Sequence, residues 1–166
     1  MITTIMLLIV WAAIMGYMSA QTYSQQDVRP MLRNFDLSWV ESLFGWVNFT
    51  YSSGEISVAA RGPAGFIEFF IRKGAHVTVF ATLGFLCVRL LTLWSGKMFV
   101  RVGVALLLVV FAASIDEFRH FLNPGRSGLV EDVVLDTCGG AIGIAIHQIL
   151  HRLKARRRRL EGGRVS

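Results

Sequence analysis

Four long apolar runs are the feature that most constrains what this chain can fold into. A helix rises about 1.5 Å per residue, so it needs about 20 mostly apolar residues to cross the roughly 30 Å hydrocarbon core of a bilayer. The runs that meet this requirement cover residues 2–19, 65–93, 98–115 and 133–150. Because 54% of the 166 residues are hydrophobic, little sequence remains for a soluble domain. We therefore predict an all-α fold, an integral membrane four-helix bundle over residues 1–150, followed by a basic tail over residues 151–166.

The first run could be mistaken for a secretory signal peptide. No lysine or arginine precedes it, and Met18 is a poor fit to the small residues of a cleavage site that would end at Ala20. The sequence therefore favours an uncleaved membrane helix.

Lysine and arginine predict the orientation of the four helices. The tail HRLKARRRRLEGGR follows the fourth run, and Arg89, Lys97 and Arg101 flank the short link between the second and third runs. Cytoplasmic loops carry an excess of these residues. We expect a multi-pass protein of the inner (cytoplasmic) membrane with both termini cytoplasmic. Its tail should contact anionic lipid headgroups and no nucleic acid.

This orientation leaves two segments on the outer side, residues 21–61 and the turn over residues 116–132. The first is an extracytoplasmic segment between helices one and two. Its apolar residues form a rough helical stripe between Phe35 and Val47, with tryptophans of the kind that anchor in a membrane interface. The segment is either a lid over the outer ends of the helices or a part of the packed bundle.

Ionisable residues gather at the outer ends of the second, third and fourth runs. A charge inside a membrane is costly unless it is paired, hydrated or turned to the bundle interior. Pairs spaced i and i+4 share one helical face, as Arg72 and His76 do. The sequence therefore predicts one shared polar pocket. Its expected members are Arg72, Lys73, His76, Asp116, Glu117, His120, Arg126, Asp132 and Asp136.

The stretch NPGRSG has the composition of a turn. Pro124 fixes its own φ, and the two glycines of the stretch tolerate positive φ. Such a turn would hold Arg126 over the pocket. Asp132 follows in the first turn of the fourth helix, where a carboxylate also serves as a simple cap.

Two stretches of the chain, RKGAHVTVFATLG from Arg72 and SIDEFRHFLNPGRSGLVEDVVLDTCGGAIG from Ser114, resemble the VanZ-like family of small bacterial membrane proteins. The order RK-x-x-H, DE, PGR-x-G and D-x-x-x-D carries the resemblance. One departure is Arg119-His120, where the family usually has His-Gln. The resemblance implies a role in the cell envelope, such as glycopeptide (teicoplanin-type) resistance or envelope polysaccharide metabolism. It also implies, as the site, the pocket residues other than His120, which falls at the departure.

The pocket fits a binding function. Arginine and lysine recognise phosphate, and carboxylates bind sugar hydroxyls or orient the cations. The expected ligand is a membrane lipid phosphate or a polyprenyl-linked glycan precursor. The ligand-binding residues would be Arg72, Lys73, Arg126, Asp132 and Asp136.

An enzyme acting on such a lipid is the alternative. His76 or His120 would be the general acid or base, with Glu117 or Asp116 as its partner. A third hypothesis is a structural ion-pair network that locks three helix ends.

No HExxH or EF-hand spacing is present, and the neighbouring cations would repel a metal ion. We therefore expect neither a metal nor a cofactor.

Overall fold

Four long helices form the molecule, and each is long and apolar enough to cross a membrane. The computed structural model describes residues 1–52, 54–94, 96–123 and 128–162. Within these ranges the long helices are α1 (Ile2–Ala20), α5 (Val58–Leu91), α6 (Met98–Leu122) and α7 (Val130–Gly162). The predicted all-α membrane bundle is thus confirmed.

Helices α6 and α7 extend beyond the predicted apolar runs. Asp116 and His120 lie within α6, not in a turn after it, and α7 continues through the basic residues as far as Gly162. The expected turn over residues 116–132 was therefore wrong in its bounds. Apolarity marks only where a helix lies in lipid. The last turns of α6 continue past that point because Glu117 and His120 are paired inside the bundle, whereas α7 continues as an exposed helix of basic residues.

Glycines set the packing of α7 against its neighbours. A Cβ at Gly143 would lie 1.8 Å from the carbonyl oxygen of Ala81 on α5, and one at Gly139 would lie 2.6 Å from that of Val77. Where lipid surrounds the helices, small residues allow this close backbone approach. A Cβ at Gly140 would instead meet a side chain, at 2.4 Å from Cγ1 of Val109 on α6. The glycine face of α7 is therefore turned to both α5 and α6.

Between α1 and α5 the chain forms short elements that pack on the start of α5. They are α2 (Tyr23–Gln26), α3 (Arg29–Leu32), α4 (Ser38–Phe44) and the antiparallel strands β1 (Asn48–Tyr51) and β2 (Gly54–Ser57). Val40 and Ile56 are buried with Phe66 of α5 in a small apolar cluster. The segment is thus packed on the bundle, and its hairpin was not expected from the helical stripe.

A kink near the start of α5 brings the hairpin onto the bundle. Gly62 has φ 67°, a conformation that residues with a Cβ rarely adopt, and Pro63 follows it. Proline suits the first turn of a helix because no bond to its missing N–H is needed there. The apolar length of α5 therefore begins just after the kink.

The helices alternate in direction, so α1 and α6 end where α5 and α7 begin. We call this end of the bundle the site end. Asn123 donates from Nδ2 to the carbonyl oxygen of Ser19 (3.2 Å), and Arg119 donates from Nη2 to that of Gly16 (3.2 Å). These bonds hold the last turn of α1 beside the last turn of α6.

Candidate functional site

A buried histidine–carboxylate pair joins α5 to α7 at the site end. Nδ1 of His76 lies 3.2 Å from Oδ1 of Asp136 and 3.3 Å from Oδ2. Asp136 is fully buried. A buried carboxylate is tolerated only when it is paired or hydrogen-bonded, and His76 supplies that partner.

A second histidine–carboxylate pair lies on α6. Nδ1 of His120 is 3.2 Å from Oε1 of Glu117, and its Nε2 is 3.8 Å from Oδ2 of Asp116. The backbone N–H of Leu129 donates to Oε2 of Glu117 at 2.9 Å. Both oxygens of the Glu117 carboxylate are therefore held, and the chain entering α7 is fixed to the end of α6.

The two pairs face each other across the bundle. The ring centroids of His76 and His120 are 5.9 Å apart, with the ring planes inclined at 69°. The two imidazoles are thus close to edge-to-face contact, and each is oriented by its own carboxylate.

A second polar contact between α5 and α7 is an ion pair that also ties down the hairpin. Lys73 donates from Nζ to Oδ1 of Asp132, and the hydroxyl of Tyr51 donates to the same oxygen. Burial raises the pKa of Tyr51, and the bond to Asp132 raises it further. Tyr51 therefore stays protonated and keeps donating at neutral pH. Asp132 is engaged by a cation and a hydroxyl from other elements, which a simple helix cap would not require.

Arg72 does not pair with a carboxylate in the part of the chain that the structure describes. Its guanidinium carbon lies 4.9 Å from the ring centroid of Tyr23, a cation–π distance. The Tyr23 hydroxyl donates to both oxygens of Glu68 (3.1 and 3.2 Å), and Nε of Arg29 lies 3.4 Å from Oε2 of Glu68. Burial and the negative charge of Glu68 raise the pKa of Tyr23. Arg72 thus keeps its N–H donors for another acceptor.

Two cavities meet at the site end. The first, which we call the apolar cavity, lies between α1 and α5, with Met15, Met18, Val79 and Phe80 among its lining residues. The second, the polar cavity, lies under the hairpin. Its walls include Tyr23, Tyr51, Glu68, Lys73 and Asp132. Arg72, His76 and His120 line both cavities.

Four side chains are placed so that they could hold a metal ion. They are His76, Asp116, Glu117 and Asp136, and one ligand atom from each lies within 4.8 Å of the others. They come from three helices, so folding is required to bring them together.

The structure brings together eight of the nine expected site residues. Arg126 lies outside the described residues. Among the site residues that the structure describes, the histidines hold Glu117 and Asp136, and Lys73 pairs with Asp132.

Sequence reasoning missed three residues of the site. Glu68 precedes Arg72 by four residues and so shares its helical face, a signal that was available. Tyr23 and Tyr51 had no comparable signal, because they come from the connecting segment and reach the site only through the tertiary fold.

These features define a multi-pass membrane protein with a four-helix bundle. At one end of the bundle, charged residues of the site line two cavities. The chain belongs to the VanZ/LLP1 family, whose family model matches residues 4–151. That match covers α5, α6 and most of α1 and α7, and it confirms the resemblance seen in the sequence. No curated protein and no solved structure matches the chain.

Proposed function

We propose that this protein binds an anionic, amphiphilic lipid of the cell envelope, either a lipid phosphate or a polyprenyl-linked glycan precursor. The observation that carries the proposal is the sharing of Arg72, His76 and His120 by an apolar and a polar cavity. A ligand with an acyl or prenyl chain on one side and a polar group on the other fits that arrangement. Its charged headgroup would lie at the three shared residues.

The charges of the site are compatible with an anion there. Asp132 is neutralised by Lys73, and Asp136 and Glu117 are each bonded to a histidine. Arg72 has no carboxylate partner among the described residues, and its guanidinium can bind phosphate through two parallel N–H bonds. The polar cavity adds the hydroxyls and carboxylate of Tyr23, Tyr51 and Glu68, which suit a glycan.

We expect saturable binding of a polyprenyl phosphate to the purified protein in detergent, measured by native mass spectrometry. Polyprenol, which lacks the phosphate, and inorganic phosphate, which lacks the chain, should each bind far more weakly. Arg72→Gln should weaken polyprenyl phosphate binding about 10-fold or more, since a hydrogen bond to a charged group contributes about 1.5–3 kcal/mol.

Arg33→Gln is the matched control, because Arg33 is an exposed arginine of the connecting segment and lines neither cavity. It should leave binding unchanged. Equal affinity of the wild-type protein and the Arg72→Gln variant would show that the headgroup does not bind at the shared residues.

Catalysis on the same lipid is the second candidate, favoured by the two facing histidine–carboxylate pairs. One imidazole would remove a proton while the other donates one, and Arg72 would stabilise developing negative charge. The binding experiment separates the two functions, since an enzyme converts the lipid to a product of different mass. In that case Glu117→Gln should retain binding and lose turnover.

We propose further that the protein lies in the inner membrane with the site end outside and both termini in the cytoplasm. There it would act in polysaccharide metabolism or in resistance to teicoplanin-type glycopeptides. The basic residues at the opposite end of the bundle support this orientation.

A cysteine reporter tests the orientation. In a Cys87→Ala, Cys138→Ala background, Ser24→Cys should react with a membrane-impermeant maleimide on intact cells, and Gly96→Cys should react only after permeabilisation. Ser24 and Gly96 are both exposed and lie near opposite ends of the bundle. The reverse labelling pattern would place the site end in the cytoplasm.

A further inference from the structure

We propose that His76, Asp116, Glu117 and Asp136 bind one divalent metal ion. The ligand atoms of these side chains lie within 4.8 Å of one another, a spread that one ion can bridge after small rotamer changes. Asp136 and Glu117 are 0% and 4% exposed. The site is therefore set inside the bundle, where few water molecules compete for the ion.

The sequence argument against a metal was repulsion by neighbouring cations. The geometry weakens that argument for the two cations of α5. Lys73 is bonded to Asp132, outside the group of four, and the guanidinium of Arg72 stacks on the Tyr23 ring. A neutral imidazole carries no positive charge that would repel an ion, and it is itself a metal ligand, so deprotonated His76 and His120 do not oppose metal binding.

Charge balance also favours an ion. Three carboxylates within so small a space repel one another, and a membrane interior makes that repulsion costly. With neutral histidines the group carries three negative charges, which a divalent ion would largely offset. Protonation of both histidines is the competing way to balance them, and it defines the purely structural ion-pair network.

An independent observation comes from Ser19 on α1. Its side chain is 3% exposed, and its hydroxyl makes no hydrogen bond to any described residue. Ser19 lines the apolar cavity together with His76 and Asp116. Buried hydroxyls are almost always hydrogen-bonded. An oxygen ligand of the bound ion, such as water or a headgroup oxygen, would give this hydroxyl a partner.

The donor set indicates the kind of metal. One imidazole nitrogen and three carboxylates suit a borderline ion such as Mn²⁺, Fe²⁺ or Zn²⁺ better than Ca²⁺ or Mg²⁺, which prefer oxygen ligands alone. This inference stands apart from lipid binding. Where lipid also binds, the ion would give the headgroup phosphate a second positive contact beside Arg72.

The test is Mn²⁺ binding to the purified full-length protein, with any affinity tag removed and the metal first stripped with EDTA. Electron paramagnetic resonance titration and elemental analysis after desalting should give one Mn²⁺ per chain. Asp116→Asn and Asp136→Asn should each weaken binding at least 10-fold. Asp116 is partly exposed, so its variant is expected to fold even if the Asp136 variant does not.

Glu68→Gln is the matched control, because Glu68 is a buried carboxylate at the site end that lies outside the group of four. It should keep full Mn²⁺ binding. A zinc titration requires a His151→Gln background, since the stacked rings of His147 and His151, 6.1 Å apart, could bind Zn²⁺ at the opposite end.

Substoichiometric Mn²⁺ in the wild-type protein, or equal binding by the wild type and Asp116→Asn, would overturn the metal site. Polyprenyl phosphate binding measured in EDTA separates this outcome from the proposed function. Binding that persists in EDTA while Mn²⁺ fails to bind refutes only the metal site.

Discussion

The Gly143→Ala variant is expected to lose much of its folded stability, because the added methyl group meets the backbone of α5. A Cβ at this position would lie 1.8 Å from the carbonyl oxygen of Ala81. Backbone cannot rotate away as a side chain can, so α5 and α7 must move apart. Overpacking typically costs about 1–3 kcal/mol, and we expect a loss of about 3 kcal/mol or more here. Thermal unfolding of the purified protein in detergent measures the effect.

Gly103→Ala is the control for this prediction. Gly103 also lies in a membrane helix, α6, but a Cβ there would meet nothing within 4 Å. Alanine is favoured over glycine inside helices by up to about 1 kcal/mol, so this variant should be at least as stable as the wild type. Equal losses in the two variants would mean that helix propensity, and not the contact between α5 and α7, governs the result.

The Asp132→Ala variant is expected to have the second large effect, because it removes the acceptor shared by Lys73 and Tyr51. Lys73 would be left as an unpaired charge with 19% of its side chain exposed. Removing one partner of a buried ion pair costs about 3–5 kcal/mol, and the partial exposure of Lys73 places the loss near about 3 kcal/mol. Hydrogen exchange should also accelerate in β1, since the hairpin loses its tie to α7.

A double variant identifies the cause of that loss. In Lys73→Met, Asp132→Leu both charges are replaced by apolar side chains of similar length, and such replacements are often neutral or stabilising. Much of the stability should return, while β1 should stay unprotected because Tyr51 still lacks its acceptor. A double variant as unstable as Asp132→Ala would show that the unpaired lysine is not the source of the effect.

The sequence predicted the bundle and most of the site for a simple physical reason. Lipid requires long apolar helices, and i, i+4 spacing places side chains on one helical face whatever the neighbouring helices do. His76 was grouped with Arg72 in this way. Spacing could not say which residue on one face meets which residue on another. That choice depends on how each helix is rotated and shifted along its axis, which the glycine contacts of α7 determine.

The connecting segment was the least predictable part. Its hairpin brings Tyr51 to Asp132 across 81 residues of sequence, and α2 brings Tyr23 to Glu68 across 45. Neither contact follows from local pattern. The site residues on the long helices can therefore be predicted from sequence periodicity. Those from the connecting segment can be identified only in the folded structure.

The close backbone contact of α5 with α7 has a consequence for the chemistry of the charged residues. Val77 meets Gly139 through backbone atoms, and each adjoins or lies within one helical turn of a partner in the His76–Asp136 pair. The distance between the His76 imidazole and the Asp136 carboxylate thus depends on a backbone contact between two uncharged residues. A methyl group added among the glycines would therefore also change the geometry of the His76–Asp136 pair, several ångströms away.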